Sequence, residues 1–317
     1  MIADSLPVNA VIVTRNRSSD LKTCLQAIRA QSRPPDGIIV VDNASTDATA
    51  DFLQGESALR VLRSERNIGG AGGFEWGLRV AVNDGARWVW VMDDDAVPEA
   101  GCLERLLEAG ATSQDRLGAI APVVRYRGWL DTCGFRQRRA NSGGVQRVLL
   151  EDVGCEPSPI DWAPFLGLLV SAEAVRDVGG IRGDLFIWGD DREYCLRLRV
   201  ADWKILCVPT AAVAHPSGRP AITRRVLGRE LTVGNPAPWQ EYYGVRNLFL
   251  VDAWYARTPM GDGRLRVNRV LHGLRSHIRS SVITLLVDRE NGFRRVFWQT
   301  RGLLDGLMGR TGIGPVP

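Results

Sequence analysis

With 317 residues, 45% apolar and 24% charged, the chain can bury a substantial core as one large domain or two, and it is neither disordered nor fibrous in composition. Its six scattered cysteines (Cys24, Cys102, Cys133, Cys155, Cys195, Cys207) form no CxxC pair or zinc spacing, and no apolar run approaches the ~20 residues of a membrane span. The net charge of +4 hides an asymmetry, because residues 257–310 carry 11 arginines against 4 acids, and the rest is net acidic.

The first 125 residues alternate strand-like and helix-like segments. VNAVIVT (8–14) precedes a helical pattern over 18–30, and GIIVVD (37–42) precedes a short helix beginning near Thr46. RVLR (60–63) leads into a glycine-rich turn and a helix over 74–84. WVWVM (88–92) is followed by a helix over 99–109, and GAIAPVV (118–124) reads as a fifth strand. Val/Ile runs without polar alternation mark strands buried on both faces. Repeated βα units of this kind build a mostly parallel, doubly wound α/β sheet.

Residues 125–160 are irregular and rich in Arg and Gly, which predicts a hairpin or loops. From Trp162 to Pro216 the pattern gives an apolar strand, a helix over 171–178, the segment DLFIWGDD, a helix over 192–201 and the strand WKILCVP. Helical patterning takes over near Pro236. The expected organisation is a domain over 1–235, split near 125, followed by a helical region over 236–317. VLHGLRSHIRSSVITLLV spaces Leu271, Leu274, Ile278, Val282, Leu285 and Leu286 by three and four, with arginines on other faces. Such a helix packs on the domain or lies on a membrane surface. MIADSLPVNAVIV has no basic stretch followed by a long apolar core, so a reduced, cytoplasmic chain with only peripheral membrane contact is expected.

Three consecutive acids, Asp93, Asp94 and Asp95, end the strand WVWVM. Alternation in an extended chain would send Asp93 and Asp95 to one side and Asp94 to the other. Two carboxylates converging there suit a hard divalent cation with diphosphate oxygens, at the strand edge where open α/β sheets bind ligands. A solvated acidic turn is the plain alternative. VVDNASTD (40–47), TRNR (14–17) and RNIGGAGGF (66–74) reach the same edge, although Ser45 or Thr46 could simply cap the next helix. A dinucleotide fingerprint from Gly70 fails at Glu75, and no P-loop is present. The glycines therefore allow close approach of a bulky ligand, or only a tight turn. In FIWGDDREY, Asp190 and Asp191 begin a helix, as an N-cap or as a general base. Trp188 before them offers a flat face to a sugar ring. His215 follows an apolar strand and is structural or a third metal ligand.

TRNR, VVDNASTD, RNIGGAGGF, MDDD, FIWGDD and a later HP occur in an order that resembles the inverting family 2 glycosyltransferases of the GT-A fold, over roughly residues 8–250. RNIGGAGGF, FIWGDDREY and EYYGVRN (241–247) are most similar to galactofuranosyltransferases of mycobacterial-type cell-wall galactan synthesis, and the short chain suits the initiating kind. The resemblance implies a Rossmann-like, mostly parallel sheet with flanking helices. It implies Asp93, Asp95 and His215 as ligands of Mn²⁺ or Mg²⁺, Asp191 as the base and Asp190 as its neighbour and fallback. Thr14, Arg15, Asp42, Asn67, Gly70 and Asp94 would hold the donor, and Trp188, Tyr243 and Arg246 the acceptor. The implied partners are a UDP-sugar, most of all UDP-galactofuranose, a polyprenyl-diphosphate-linked glycan and the inner membrane surface. Nucleic acid is not among them, and self-association is left open. The same fold with another donor such as dTDP-rhamnose is one rival, and a nucleotide-binding relative without turnover is another.

Overall fold

The computed structural model describes residues 6–126, 129–130, 136–138, 145–147, 154–215, 221–258 and 263–315. They fall into two units, Met1–Gly183 with Asp191–Ser217, and Asp184–Asp190 with Gly218–Pro317.

The first unit begins with β1 (Val8–Thr14), α1 (Ser18–Arg29), β2 (Gly37–Asp42), α2 (Ala48–Gln54), β3 (Arg60–Arg63), α3 (Gly69–Asn83), β4 (Trp88–Asp93), β5 (Val97–Pro98) and α4 (Cys102–Thr112). It continues with β6 (Leu117–Tyr126), β7 (Trp129–Leu130), the pair β8 (Arg136–Arg138) and β9 (Val145–Arg147), then β10 (Ser158–Pro159) and β11 (Leu166–Ser171). Helices α5 (Ala172–Val178) and α6 (Asp190–Val200) and strand β12 (Lys204–Ala214) complete it. The main sheet runs β10-β12-β6-β11-β4-β1-β2-β3. Its long strands are parallel except β11, which is antiparallel to both β4 and β6. Strands β8 and β9 pair antiparallel within the stretch expected to hold a hairpin or loops.

Alternate residues of each strand serve opposite faces, which explains the unbroken apolar runs. Val11, Val13, Val41, Val89 and Val91 join Phe74 and Leu78 of α3 in one core, while Ala10, Ile12, Val40, Trp90 and Met92 join residues of α1 and α4 in the other. Cys24, Cys102, Cys195 and Cys207 are buried as free thiols, acting as small apolar residues.

The glycine-rich stretch is not the predicted turn, since α3 already begins at Gly69. A Cβ on Gly73 would stand 2.5 Å from Val13 Cγ1, and one on Gly77 2.4 Å from Val11 Cγ1. These glycines let the helix lie close against β1. Gly70 faces open space instead. Gly77→Ala is therefore expected to cost about 1–3 kcal/mol by overpacking. Gly70→Ala should be neutral or gain up to about 1 kcal/mol of helix propensity. Urea unfolding of the two variants checks the contrast.

The second unit holds Asp184–Asp190, a hairpin of β13 (Ala221–Val226) and β14 (Arg229–Gly234), and helices α7 (Pro238–Tyr255), α8 (Gly263–Val287) and α9 (Gly292–Leu307). The helical region expected from 236 lies in this unit together with residues 184–190 and 218–235. Arg246 and Asn247 of α7 donate to carbonyls of Leu185, Ile187 and Trp188, and Arg295 of α9 donates to the Gly234 carbonyl. The hairpin and the segment before α6 thus belong with the helices.

Candidate active site

The sheet's directions decide where the polar motifs meet. Because β11 is antiparallel to both its neighbours, β6 and β12 point the same way as β4, β1, β2 and β3. Their C-terminal ends, carrying Thr14, Asp42, Arg63, Asp93 and the residue after Ala214, all reach one edge. The short strand β5 pairs with the end of β12, Val97 opposite Ala214, and the His215 amide donates to the Arg125 carbonyl at 2.8 Å. That pairing brings His215 Nε2 to 3.2 Å from Asp95 Oδ1.

The acidic triplet is arranged differently from the alternation expected of it. Only Asp93 belongs to β4, and Asp94 and Asp95 lie in a turn whose Ala96 amide donates to the Asp93 carbonyl at 3.2 Å. The buried carboxylates of Asp94 and Asp95 share Arg17, whose Nη1 stands 2.6 Å from Asp95 Oδ2 and 3.6 Å from Asp94 Oδ1. Thr14 Oγ1 donates to Asp94 Oδ2 at 2.7 Å. Burial pushes the Asp94 carboxyl up to about 7, and the Asp95 charge adds to the rise against the Thr14 bond and the Arg17 charge. Such a cluster favours taking up positive charge. Arg17 was not singled out from the sequence. Its signal was there, because three adjacent carboxylates need a cation and TRNR supplies two arginines at the same edge.

Two donors each ~2.1 Å from one cation and at right angles stand about 3 Å apart, close to the separation of Asp95 Oδ1 and His215 Nε2. That pair fits a divalent ion. Among the described residues no group of three His, Cys, Asp or Glu side chains has this arrangement. Of the expected set, Asp95 and His215 are in contact, and Asp93 ends the adjoining strand β4.

On the other side of Thr14, Asp42 is 1% exposed. Its Oδ1 accepts the Ser45 amide at 2.9 Å, while Oδ2 has no hydrogen-bond partner and only Arg63 Nη1 at 3.6 Å. Arg15 Nε is likewise buried without a partner. Orphaned buried polar atoms call for a partner, and at a sheet edge a ligand's polar atoms can supply one. Asn67 Oδ1 accepts from Asn43 Nδ2 and from the Gly69 amide, and Asn43 Oδ1 accepts the Ile68 amide. Asn67 and Asn43 thus shape the entry to α3. The cap of α2 is neither Ser45 nor Thr46. Asp47 accepts the Thr49 amide, and Ser45 Oγ instead accepts the Asn16 amide.

Asp190 and Asp191 open α6, Asp190 assigned to the second unit and Asp191 to the first. Asp191 Oδ1 accepts the Arg192 amide at 2.6 Å. In the second unit, Phe186 and Trp188 sit at φ 67° and 65°, a region that costs side-chain-bearing residues about 1–3 kcal/mol each. Trp188 is half-buried, and Gly244 leaves room for its ring, a Cβ there standing 3.1 Å from Trp188 Cε3. Tyr243 and Arg246, expected at the acceptor, lie inside the second unit. They are 0% and 1% exposed. Tyr243 stacks on Phe186, and its hydroxyl accepts the Gly314 amide. Arg246 donates to the Leu185 and Gly312 carbonyls.

Comparison with known proteins gives a consistent set of likenesses. Residues 10–152 match the model of glycosyl transferase family 2. The chain is 32% identical to the galactofuranosyltransferase GlfT1 of Mycolicibacterium smegmatis over 76% of this chain and 81% of that protein. It is 28% identical to an N-acetylglucosaminyl-diphospho-decaprenol L-rhamnosyltransferase of Mycobacterium tuberculosis, over 69% and 79%. Among solved structures, GalNAc-T7 with UDP, GalNAc and Mn²⁺ superposes with a TM-score of 0.57 at 18% identity, over 84% of this chain and about half (54%) of that one.

Proposed function

The chain belongs to glycosyl transferase family 2 and has its GT-A fold, and from that premise we propose that it moves galactofuranose from UDP-galactofuranose to a polyprenyl-diphosphate-linked glycan, with inversion at the anomeric carbon. The observation that carries this reading is the meeting of His215 with Asp95 beside Thr14, Arg17 and Asp94 at one sheet edge. GlfT1 supports the sugar, and the presence of Mn²⁺ and UDP in the GalNAc-T7 structure supports a metal and a nucleotide.

Asp95 and His215 would hold Mn²⁺ or Mg²⁺, with Asp93 near them at the strand end. When bound, the ion supplies Lewis-acid stabilisation of the negative charge that gathers on the diphosphate as the sugar–phosphate bond breaks. Arg17 would add its charge to the same leaving group, and Asp94 would face the donor sugar. Thr14, Arg15, Asp42 and Asn67 would hold the uridine nucleotide, where the unpartnered Asp42 Oδ2 and Arg15 Nε await a ligand's polar atoms. Gly70, with open space at its Cα, leaves room for the diphosphate at the start of α3. Asp191, or failing it Asp190, would take the proton from the attacking hydroxyl on the face opposite the diphosphate. Trp188 would offer the acceptor sugar its ring face. No described helix is long and apolar enough to cross a membrane. A lipid-linked acceptor would be met at the membrane's inner face.

A panel of nucleotide sugars with a lipid-linked acceptor analogue, run with and without EDTA, tests the reading. Product from UDP-galactofuranose that disappears with chelator is expected. Product only from dTDP-rhamnose would overturn the donor, and turnover indifferent to EDTA would overturn the metal.

A further inference from the structure

Helix α9 is amphipathic with its faces reversed. The side turned into the second unit carries Arg295, Gln299 and Asp305 with Gly302, Leu303 and Gly306, all buried. Those polar groups are satisfied there. Arg295 pairs with Asp288 and with Glu241, Gln299 Oε1 lies 3.2 Å from Ser281 Oγ, and Asp305 accepts the Tyr242 hydroxyl at 2.8 Å. The glycines set the close approach, since a Cβ on Gly302 would stand 2.3 Å from the Tyr242 carbonyl. The opposite side exposes Phe293 (83%), Phe297 (59%), Leu304, Leu307 and Met308 at helical spacing. Helix α8 adds exposed Ile278, Val282, Leu285 and Leu286, the residues whose periodicity suggested either packing or membrane contact.

Such a face needs a cover, and its charge says which. Arg275, Arg279, Arg289, Arg294, Arg301 and Arg310 are exposed along these helices, against a single exposed acid, Glu290. A second copy packed face to face would set these arginines against themselves. An anionic lipid surface takes the apolar stripe into its acyl boundary and the guanidinium groups at its head groups. We infer that the exposed face of α9, with that of α8, binds anionic membrane in the plane of the surface. This gives the proposed lipid-linked acceptor a docking surface, but it rests on the helix alone and not on the donor assignment.

The test is flotation of the full chain with vesicles of phosphatidylcholine, alone or with about one-third phosphatidylglycerol. Binding is expected only with the anionic vesicles, and Phe293→Ser/Phe297→Ser should weaken it about a hundredfold. The same variant should transfer sugar to a water-soluble acceptor analogue at the unaltered rate. Vesicle binding unmoved by the double substitution, equal binding to neutral vesicles, or a concentration-dependent dimer that the substitution dissolves would each overturn the inference. Transfer that fails while anionic vesicles still bind would overturn the proposed reaction and leave the membrane face standing.

Discussion

Replacing Asp191 with Asn should slow sugar transfer by about 10²–10⁴-fold while leaving UDP binding within a factor of about two. The amide has the shape of the carboxylate and can still accept the Arg192 amide through its oxygen, as Asp191 Oδ1 does at 2.6 Å. What it cannot do is hold the proton of an attacking hydroxyl. An inverting transfer needs one such base beyond the groups that stabilise the diphosphate, and in the proposed site Asp190 is the alternative to Asp191. Single-turnover rates and calorimetric titration of UDP separate the two effects. Asp190→Asn is the control with a meaning of its own, because Asp190 is 7% exposed while its neighbour is only half-buried. If Asp190→Asn abolishes transfer and Asp191→Asn does not, the base is Asp190. If both variants transfer normally, neither is the base.

The sheet and its edge could be read from residues because period-two burial of Val and Ile leaves a plain signature, and βα repetition constrains strand direction. The nearness of His215 to Asp95 followed from motif order, but its cause could not. It depends on β5, two residues long, pairing with the end of β12, and no pattern marks so short a strand. The triplet misled for a related reason. Alternation is a rule for strands, and Asp94 and Asp95 have already left β4 for a turn. RNIGGAGGF was ambiguous because glycine looks alike whether it admits a ligand or a neighbouring strand. Gly73 and Gly77 admit Val13 and Val11, and Gly70 alone in that trio opens on space. The reversal of α9 was hidden because burial of Arg295 and Asp305 depends on partners far away in sequence, Glu241 and Tyr242 among them.

Removing Arg246 or Asn247 should be as damaging as a change in the site, although both are buried. Phe186 and Trp188 hold left-handed backbone that their side chains disfavour. Something must offset that cost, and the offset is local. Asn247 Nδ2 donates to the Leu185, Ile187 and Trp188 carbonyls at 2.9, 2.9 and 2.7 Å. Arg246 adds bonds to the Leu185 and Gly312 carbonyls and lies over the rings of Tyr242 and Tyr243 at 5.3 and 4.8 Å. Its partners are carbonyl oxygens and ring faces, a planar arrangement that an ammonium cannot reproduce. Asn247→Ala takes this donor from the half-buried Ile187 and Trp188 carbonyls, at roughly 1–3 kcal/mol each where water cannot reach them, while the Leu185 carbonyl keeps Arg246. It should lower stability to urea by about 2–4 kcal/mol in sum. Freed of that bracing, the segment before Asp190 can relax toward ordinary backbone, and Trp188 loses its fixed orientation. The kcat should then fall at least about tenfold while UDP binding holds, since a displacement of about 1 Å in a positioned group can cost far more than that. Arg246→Lys should follow the same pattern. A merely structural role predicts lower stability with kcat unchanged below the unfolding transition, and that outcome would remove these two residues from the account of catalysis.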